Sequence, residues 1–456
     1  MNLSIEEISG AVKAEILNGG KTKIKNIITD SREILEDCLF FALKGEVSDG
    51  HDFAEAAAAG GAAAVILNKG HIFENKTGAA VIAVEDTRQA LLELAEYYKS
   101  LFKLEFTAAV TGSNGKTMVK ELIYAVLSQK YKTRKSEGNL NTETGLSKTI
   151  FSLRPDERAL VLEMGMDRFG EISKLSKTAN PDIGIINNIG TAHIEKLGSK
   201  EGIKKAKFEI LDGMGADSII ILNADDPFLY SEKGRTGLRE CFFGINNSKA
   251  DYTAGNISFD YAGNTAHFEI GGTGFKIPAV GIHNVYNALA AYTTGKLRGL
   301  TDERIQAGFD AFRPAAMRQN IYEINGITII DDCYNASLES IRAALSVLAD
   351  ISGGKNKKNT AVLADVLECG DFAAEIHRQI GEAALEFNID KIFVYGEKSK
   401  KIAEVINDSG RCVYFEDKTG IAKKLFEETG DGGTVLFKAS RGMAMETVLE
   451  DFKKLF

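Results

Sequence analysis

The stretch from Phe106 to Leu127 constrains the fold of this chain more than any other. An apolar run, Phe106 to Val110, leads into Gly112 and Gly115, and a helical pattern continues to residue 127. A strand, a glycine turn and a helix N-terminus in this order form a phosphate-binding loop, because glycine allows the backbone N–H groups to face an anion. The segment therefore predicts an α/β domain with a nucleotide site at the end of one strand.

The residues around the second glycine indicate how a nucleotide is held. Lys116 is expected to reach the β- and γ-phosphates, and Thr117 to offer its hydroxyl to Mg²⁺. Val110 stands where the usual consensus has an earlier glycine, so the loop is a short variant. A glycine turn that only caps a helix is the alternative. The predicted nucleotide contacts are Gly112, Ser113, Asn114, Gly115, Lys116 and Thr117.

Size and charge exclude several classes of protein. At 456 residues the chain exceeds one hydrophobic core, so several domains are expected. The net charge of −9 argues against a nucleic-acid partner. The longest apolar stretch, Ala56 to Leu67, is too short to span a membrane, and we expect no membrane insertion and no signal peptide. Five cysteines without a Cys-x-x-Cys pair are typical of reduced thiols in a cytoplasmic protein.

The order of apolar segments predicts three α/β domains. Residues 1–101 contain an alanine-rich helix and short buried strands, one of them from Ala80 to Val84. In residues 102–313 strands and helices alternate, which predicts a mostly parallel sheet covered on both faces. Arg313-Pro314 breaks the pattern and marks a boundary. Residues 314–456 repeat the alternation, so a second, Rossmann-like sheet is expected there, with strands at Thr328 to Asp331, Thr360 to Leu363, Lys391 to Tyr395, Cys412 to Phe415 and Thr434 to Phe437.

Two polar side chains follow strands of the predicted central sheet. Glu163 ends the strand that begins at Ala159, and His193 follows the strand from Ile183 to Asn187. Ligands of open α/β sheets bind at this edge, and a carboxylate suits Mg²⁺. Imidazole is not a usual Mg²⁺ ligand, so the residues alone leave a structural role for His193 equally open.

Lys207 is the most unusual single residue. In the predicted helix from Gly202 to Gly213 it lies on the same stripe as Ile203 and Ile210. A lysine on a buried face is costly unless it is paired or neutral. The pattern by itself favours the alternative, in which the side chain runs along the edge of the stripe to reach water.

Two further polar groups follow strands in the last domain. Asp331-Asp332 could bind a ribose or a metal, or could simply form a turn. Ser440 and Arg441 follow the last strand and precede a predicted helix from Met443 to Phe452. A serine and an arginine at a helix N-terminus are suited to a carboxylate or phosphate. An ordinary capped helix with a surface arginine is the alternative.

These motifs, in this order, resemble the Mur ligase family, the ATP-dependent amide-bond enzymes of peptidoglycan precursor synthesis, and the resemblance covers essentially the whole chain. Asp30-Ser31-Arg32 is similar to the family's UDP-sugar-binding domain. The family's short P-loop is similar to Thr111 to Thr117, and its magnesium motifs are similar to Glu163 to Met166 and Ala192 to Ser199. Its carbamylated-lysine segment is similar to Ala206-Lys207, and the start of its adenine-binding helix is similar to Gly281 to Asn287. Its C-terminal motifs are similar to Asp331 to Ala336, Asp365 to Glu368 and Lys438 to Glu446.

The resemblance implies a role for each matching residue. Lys116, Lys207 and His193 become catalytic candidates, with Lys207 as a carbamate. The implied Mg²⁺ ligands are Thr117, Glu163, His193 and Lys207. The implied ATP contacts outside the loop are Asn287 at adenine, Asp332 at ribose and Arg318 at phosphate. The implied substrate contacts are Ser31, Arg32, Asn139, Tyr334, Asn335, Ser440 and Arg441.

The resemblance also implies the reaction: ATP and Mg²⁺ drive ligation of D-alanyl-D-alanine to UDP-MurNAc-tripeptide through an acyl phosphate, in the cytoplasm and by a monomer. The implied domains are a UDP-substrate domain (1–101), an ATP-binding domain (102–313) and a dipeptide-binding domain (314–456). A sister ligase that adds a single amino acid, folylpolyglutamate synthase, and a catalytically inactive nucleotide-binding regulator are the alternatives.

The chain departs from the family pattern at a few positions. Thr142 and Thr144 replace an Asn and an Ile in the loop that begins at Gly138. Met317 stands where the family has a glycine before the arginine, and Ser337-Leu338 stands where it has Asn-Pro. Ala364 replaces a glycine before Asp365. These changes leave the ATP-binding residues in place and affect the expected acceptor pocket.

Overall fold

The computed structural model describes residues 2–18, 23–45, 47–74, 76–355, 358–429 and 432–456, and it contains three sheets of the predicted α/β kind. The first segment folds into a five-stranded sheet in the order β2-β7-β6-β5-β4, with β2 antiparallel, and a small β1-β3 pair. Its elements are β1 Leu3–Ser4, α1 Ile5–Ala11, β2 Glu15–Asn18, β3 Lys23–Ile24, β4 Asn26–Ile28, β5 Cys38–Phe41, α2 Ala54–Ala59, β6 Ala64–Asn68, β7 Ala80–Val84 and α3 Thr87–Ser100.

The central segment forms a nine-stranded sheet in the order β16-β15-β14-β13-β12-β11-β8-β10-β9. The elements are β8 Phe106–Thr111, α4 Lys116–Leu127, β9 Thr133–Lys135, α5 Glu143–Phe151, β10 Ala159–Glu163, α6 Glu171–Ala179, β11 Ile183–Ile186, α7 Ile194–Leu197, α8 Lys200–Phe208, β12 Ile219–Asn223, α9 Pro227–Tyr230, β13 Arg239–Gly244, β14 Tyr252–Asp260, β15 Thr265–Ile270, β16 Thr273–Ile277, α10 Ile282–Leu297 and α11 Asp302–Ala311. The strand that leads into the glycine loop lies inside the sheet, with all six residues buried.

The last segment forms a six-stranded sheet in the order β17-β18-β22-β19-β20-β21, parallel except for β17. The elements are β17 Asn320–Ile324, β18 Ile327–Asp331, α12 Leu338–Lys355, β19 Asn359–Ala364, α13 Ala373–Glu386, β20 Lys391–Tyr395, α14 Lys400–Ile406, β21 Cys412–Phe415, α15 Ile421–Thr429, β22 Gly433–Lys438 and α16 Met445–Lys453. Each strand that the sequence predicts in this segment is present.

The sequence did not predict the antiparallel edge of the central sheet. β14 pairs with β15 and β15 with β16, both antiparallel. Buried and exposed residues alternate along β15, because only one face of this edge packs on the core. The predicted boundary at Arg313-Pro314 falls between the end of α11 and the start of β17, and the domain limits themselves remain predictions.

Helices cover both faces of the central sheet and join it to its neighbours. α4, α10 and α11 pack on one face. α5 and α6 lie on the other, where α3 from the first segment packs against both. The first and central sheets therefore share one hydrophobic core across α3, which lies at the predicted boundary. Across the described part of the chain, every helix is too short or too polar to cross a bilayer.

Candidate active site

A cavity of about 1010 Å³ lies at the carboxyl edge of the central sheet. One wall is the glycine loop with the start of α4, and the opposite wall comes from the last segment, between Arg318 and Ala344. Arg88 at the start of α3 closes one end. The predicted site residues along the cavity are Ser113, Asn114, Gly115, Lys116, Thr117, Asn139, Glu163, His193, Asn287, Arg318, Asp332, Tyr334 and Asn335. The fold thus brings Arg88 and Lys438, which are 350 positions apart in the chain, to the same cavity.

Gly115 is required by both conformation and space. Its φ of 79° lies in the left-handed region, where residues with a Cβ are strained. A Cβ at this position would lie 2.6 Å from Asn287 Oδ1 and 2.8 Å from Asn187 Nδ2. The absence of a side chain at Gly115 therefore lets two asparagines approach the loop from neighbouring elements.

Asparagine side chains hold the loop in place. Asn187 Nδ2 donates to the Asn114 carbonyl at 3.1 Å and to Asn287 Oδ1 at 2.9 Å. Asn188 accepts from the Asn114 amide at 2.8 Å, and the Gly190 amide donates to Ser113 Oγ at 2.8 Å. These bonds tie the loop to the end of β11 and to α10, and they fix its shape.

Lys116 folds back over its own loop. Its Nζ donates to the carbonyl of Gly112 at 2.9 Å and to that of Ser113 at 3.3 Å. Burial lowers the pKa of Lys116; the negative charge of Glu163 opposes this shift, and the positive charge of Arg318 adds to it. The ammonium group thus lies where phosphate oxygens could replace two carbonyl oxygens as its partners.

Glu163 and Thr117 meet at the start of α4. The Thr117 hydroxyl donates to Glu163 Oε2 at 2.9 Å, and Asn141 Nδ2 donates to Glu163 Oε1 at 2.9 Å. Glu163 is 2% exposed. A hydroxyl and a carboxylate in contact beside a phosphate-binding loop are oxygen donors of the type that Mg²⁺ takes.

Lys207 is 1% exposed, so the expectation that it reaches water along the helix edge is wrong. α8 packs this side chain inward, and no carboxylate pairs with its nitrogen in the part of the chain that the structure describes. Burial lowers the pKa of Lys207 well below its ordinary value, and the charge of Lys116 lowers it further. The fold thus favours a neutral amine at this position.

His193 lies at a junction between the central and last segments. Its Nδ1 is 3.1 Å from Asp167 Oδ1 and 2.6 Å from Glu368 Oε2. The ligating atoms of these three side chains lie within 4.8 Å of one another. The interaction with His193 is the main cause of the lowered pKa of Glu368. The predicted metal ligand His193 therefore has two acidic neighbours that the sequence analysis did not single out as its partners.

The last segment supplies the far wall of the cavity. Arg318 stacks on the ring of Tyr334, 3.9 Å from its centroid. Asp332 accepts from Lys438 Nζ at 2.5 Å and from the Gln319 amide at 3.2 Å. Arg318, in the connection between α11 and β17, and Asp332, directly after β18, thus both line the cavity.

Two side chains at the start of α12 contact the central segment directly. Ser337 Oγ, just before the helix, donates to Asn114 Oδ1 in the glycine loop at 2.9 Å. Glu339 accepts from the amide and hydroxyl of Thr191, at 3.1 and 2.9 Å. Ser337, a departure from the family pattern, therefore bonds to the nucleotide loop.

Several predicted site residues lie away from the cavity. Ser31 and Arg32 form a short 3₁₀ turn capped by Asp30, and Arg32 is largely exposed and paired with Asp30. The predicted helix from Met443 begins at Met445 instead, after a 3₁₀ turn at Arg441–Met443. Ser440 and Arg441 therefore do not lie at an α-helix N-terminus. Ser440 accepts from the Leu367 amide, and Arg441 pairs with Glu446.

Sequence reasoning also missed residues that shape the site. Asn187, Asn188 and Lys120 carry no pattern that marks them from a single sequence, because their partners lie far along the chain. Asp167 lies four residues after Glu163, at the same edge of the sheet. This position after a strand could have identified Asp167 as a site residue from the sequence.

Comparisons with known proteins agree with this geometry. Three family descriptions match in succession: "Mur ligase family, catalytic domain" at residues 23–99, "Mur ligase middle domain" at 110–295 and "Mur ligase, glutamate ligase domain" at 317–441. Proteins named UDP-N-acetylmuramoyl-tripeptide--D-alanyl-D-alanine ligase from Bacillus subtilis (strain 168) and Escherichia coli (strain K12) are 36% and 34% identical, each over 98% of both chains.

Solved structures show the same architecture. A crystal structure of MurF from Acinetobacter baumannii superposes with a TM-score of 0.91 at 29% identity, over 100% of this chain and 99% of that one. A MurF ligase from Thermotoga maritima in complex with ADP gives a TM-score of 0.83 at 30% identity, over 94% and 97% of the two chains.

Proposed function

The chain belongs to the Mur ligase family, and we propose that it joins D-alanyl-D-alanine to UDP-N-acetylmuramoyl-tripeptide at the expense of ATP. The relatives named for this reaction match the chain over nearly its whole length. The reaction completes the UDP-MurNAc-pentapeptide used in peptidoglycan synthesis. We also propose that it acts in the cytoplasm, where ATP and the UDP-linked substrate are present, and that it acts as a monomer.

The observation that carries this proposal is the cavity shared by the phosphate-binding loop and the last segment. Its volume of about 1010 Å³ lies at the upper end of the range for a ligand pocket. A ligase needs such a shared space, because a phosphate donor and two molecules to be joined must meet there.

The nucleotide is proposed to lie along the glycine loop. Loop amides and Lys116 hold its phosphates, and Asn287 contacts adenine. Asp332 contacts the ribose, and Arg318 contacts a phosphate from the opposite wall. Lys116 exchanges the carbonyls of Gly112 and Ser113 for phosphate oxygens, which are stronger partners for an ammonium group.

The remaining predicted contacts belong to the other two substrates. In the proposal, Ser31 and Arg32 bind the UDP part of the first substrate, and Asn139 binds its peptide end. Tyr334, Asn335, Ser440 and Arg441 contact the incoming dipeptide.

The donor set around Thr117 fits Mg²⁺. The hydroxyl of Thr117 and the carboxylate of Glu163 are hard oxygen donors already in contact, and we assign His193 and Lys207 as further ligands. A neutral lysine amine can add CO₂ and lose a proton to form a carbamate, which replaces a neutral buried group with an anion that can bind a cation. The low pKa of Lys207 and its lack of an acidic partner among the described residues support this role. When bound, Mg²⁺ offsets the charge of the triphosphate.

The chain's own residues serve the two steps of the reaction. The tripeptide carboxylate attacks the γ-phosphorus, the bond to ADP breaks, and an acyl phosphate forms. The dipeptide amine then attacks the acyl carbon, phosphate leaves, and the amine proton is lost to solvent. Lys116 and Arg318 reduce the repulsion between carboxylate and triphosphate in the first step. Contacts such as Ser337–Asn114 keep water away from the acyl phosphate.

Phosphate release with UDP-MurNAc-tripeptide and ATP tests this proposal. We expect release to require D-alanyl-D-alanine and to be accompanied by the pentapeptide product in mass spectrometry. The sister-ligase alternative instead predicts turnover with UDP-MurNAc-dipeptide and a single amino acid. No turnover with either pair would contradict a ligase function and favour the regulator.

The role of Lys207 has its own test. Lys207→Ala should be inactive and should regain activity when short carboxylic acids are added, because they can occupy the place of the carbamate. Lys205, exposed on the same helix, provides the control. Lys205→Ala should keep normal activity and respond to no acid. Full activity of Lys207→Ala without added acid would contradict the proposed role.

A further inference from the structure

Lys120 is a fully buried charged residue that the proposed reaction does not use. It lies four residues after Lys116 in α4, and its side chain is 0% exposed. Burying an ammonium group is costly unless several partners compensate for it. The contacts of Lys120 should therefore show what its charge contributes.

Three groups surround the Lys120 nitrogen. It donates to the carbonyl of Gly138 at 2.9 Å and lies 3.2 Å from Glu121 Oε1. It is also 3.8 Å from Glu163 Oε2, which is too far for a hydrogen bond but close enough for strong attraction in a buried place. Lys120 thus attracts the Glu163 carboxylate without occupying its lone pairs.

The segment that Lys120 holds leads into the cavity. Gly138 has a left-handed φ of 51°, and Asn139 and Asn141 after it line the cavity. Asn141 also contacts the Glu163 carboxylate that Lys120 attracts, because its Nδ2 donates to Glu163 Oε1 at 2.9 Å. The loop from Gly138 to Asn141 is therefore linked to Glu163 at both ends, through Lys120 at one and directly at the other.

Glu121 offers a comparison within the same cluster. It pairs with Lys120 and with Lys135, and its side chain is 14% exposed. It makes no hydrogen bond or ion pair with Glu163 or Gly138 among the described residues. Removing its charge disturbs the charge cluster but leaves both links from Lys120 in place.

We infer that Lys120 is a positioning residue that couples the 138–141 loop to Glu163. This coupling holds the loop where the peptide end of the UDP-linked substrate binds next to the nucleotide site. This inference rests on the proposed function, because that function supplies the substrate. Lys120 acts through the loop and through Glu163 and does not itself line the cavity.

Lys120→Met tests the coupling, since methionine keeps most of the volume and removes the charge and the donor. Calorimetry with UDP-MurNAc-tripeptide alone, without Mg²⁺ or ATP, should give a Kd about tenfold higher than in the unmodified protein, which corresponds to the loss of one charge-assisted hydrogen bond. The KM for the same substrate should rise by a similar factor, while the KM for ATP changes less than about threefold.

Glu121→Gln is the matched control and should leave the Kd within about twofold of the unmodified value, because both links from Lys120 remain and the glutamine oxygen can still lie beside its nitrogen. A Kd within twofold in Lys120→Met would overturn the inference, and so would an equal loss in both variants. Failure of the proposed function looks different, because the unmodified protein itself would then neither bind UDP-MurNAc-tripeptide nor turn it over.

Hydrogen exchange on the unmodified protein keeps the inference testable if Lys120→Met does not fold. Binding of UDP-MurNAc-tripeptide should slow exchange at the amides of residues 138–141 and also at those that follow Lys120 in α4. Protection of the loop alone, or of neither segment, would contradict the coupling.

Discussion

Replacing Lys207 by methionine should make the protein more stable as it abolishes activity. The side chain is 1% exposed and has no acidic partner among the described residues, so the folded state must hold either a buried ammonium group or a neutral amine. Methionine has a similar length and fills the same space without a polar atom. The change therefore removes a cost and creates little empty volume.

The size of the gain depends on pH in a definite direction. The unfolded lysine has a pKa near 10.4, and burial holds the folded pKa well below that range. Between the two values the unfolded chain binds a proton that the folded chain does not, so the unmodified protein loses stability as pH falls. The loss is about 1.4 kcal/mol per pH unit and becomes constant below the folded pKa. The advantage of Lys207→Met should therefore be small near pH 10 and grow toward neutral pH.

Thermal unfolding in CO₂-free buffer at several pH values measures this advantage. One kcal/mol corresponds to roughly 2–4 °C in the melting temperature of a domain of this size. Lys205→Met is the control, because Lys205 is exposed on the same helix and should show no such pH dependence. Added bicarbonate should stabilise the unmodified protein and leave Lys207→Met unaffected, since only the lysine can form a carbamate.

Two results would refute the reasoning. If the difference in melting temperature between Lys207→Met and the unmodified protein did not change with pH, the folded pKa of Lys207 would not be lowered. If Lys207→Met were less stable at neutral pH, the lysine would have a compensating partner, and the buried amine would not be a cost to the fold.

Three further substitutions test the nucleotide side of the cavity. Lys116→Ala should lower kcat by at least about a hundredfold with an unchanged melting temperature, and near-normal turnover would exclude the phosphate role. Gly115→Ala should cost about 1–2 kcal/mol of unfolding free energy from its left-handed backbone and weaken ATP binding, as Asn187 and Asn287 are displaced; calorimetric ATP binding at the unmodified Kd would contradict this. Ser337→Ala should raise the KM for ATP by about three- to tenfold, because the hydroxyl bonds to Asn114, and a KM within twofold would show that this contact does not support the loop.

Local patterns in the sequence account for much of the fold. The strand from Ala80 to Val84 and those from Lys391 to Tyr395 and Cys412 to Phe415 lie where short apolar runs predict them. Such runs work because a strand buried on both faces is apolar throughout. The strands β14 to β16 were missed because burial on one face leaves isolated apolar residues in place of the continuous apolar run by which the other strands were predicted.

The nucleotide loop shows most directly what the sequence determined by itself. Two glycines, a lysine and a threonine lie within six residues, so the chain need only form one turn between β8 and α4 to assemble a phosphate site. The order of neighbouring residues was enough to predict it. The roles of Ser31, Arg32, Ser440 and Arg441, which lie outside the cavity, remain predictions.

Only the tertiary structure decided the environment of the buried lysines and of His193. Whether Lys207 reaches water depends on what packs against α8, and the helical pattern alone favoured the wrong answer. Packing between elements brings Gly138 to Lys120. It also brings Asp167 and Glu368 to His193. Burial and charge pairing depend on distances between residues that are far apart in the sequence. Those distances are set only when the chain folds.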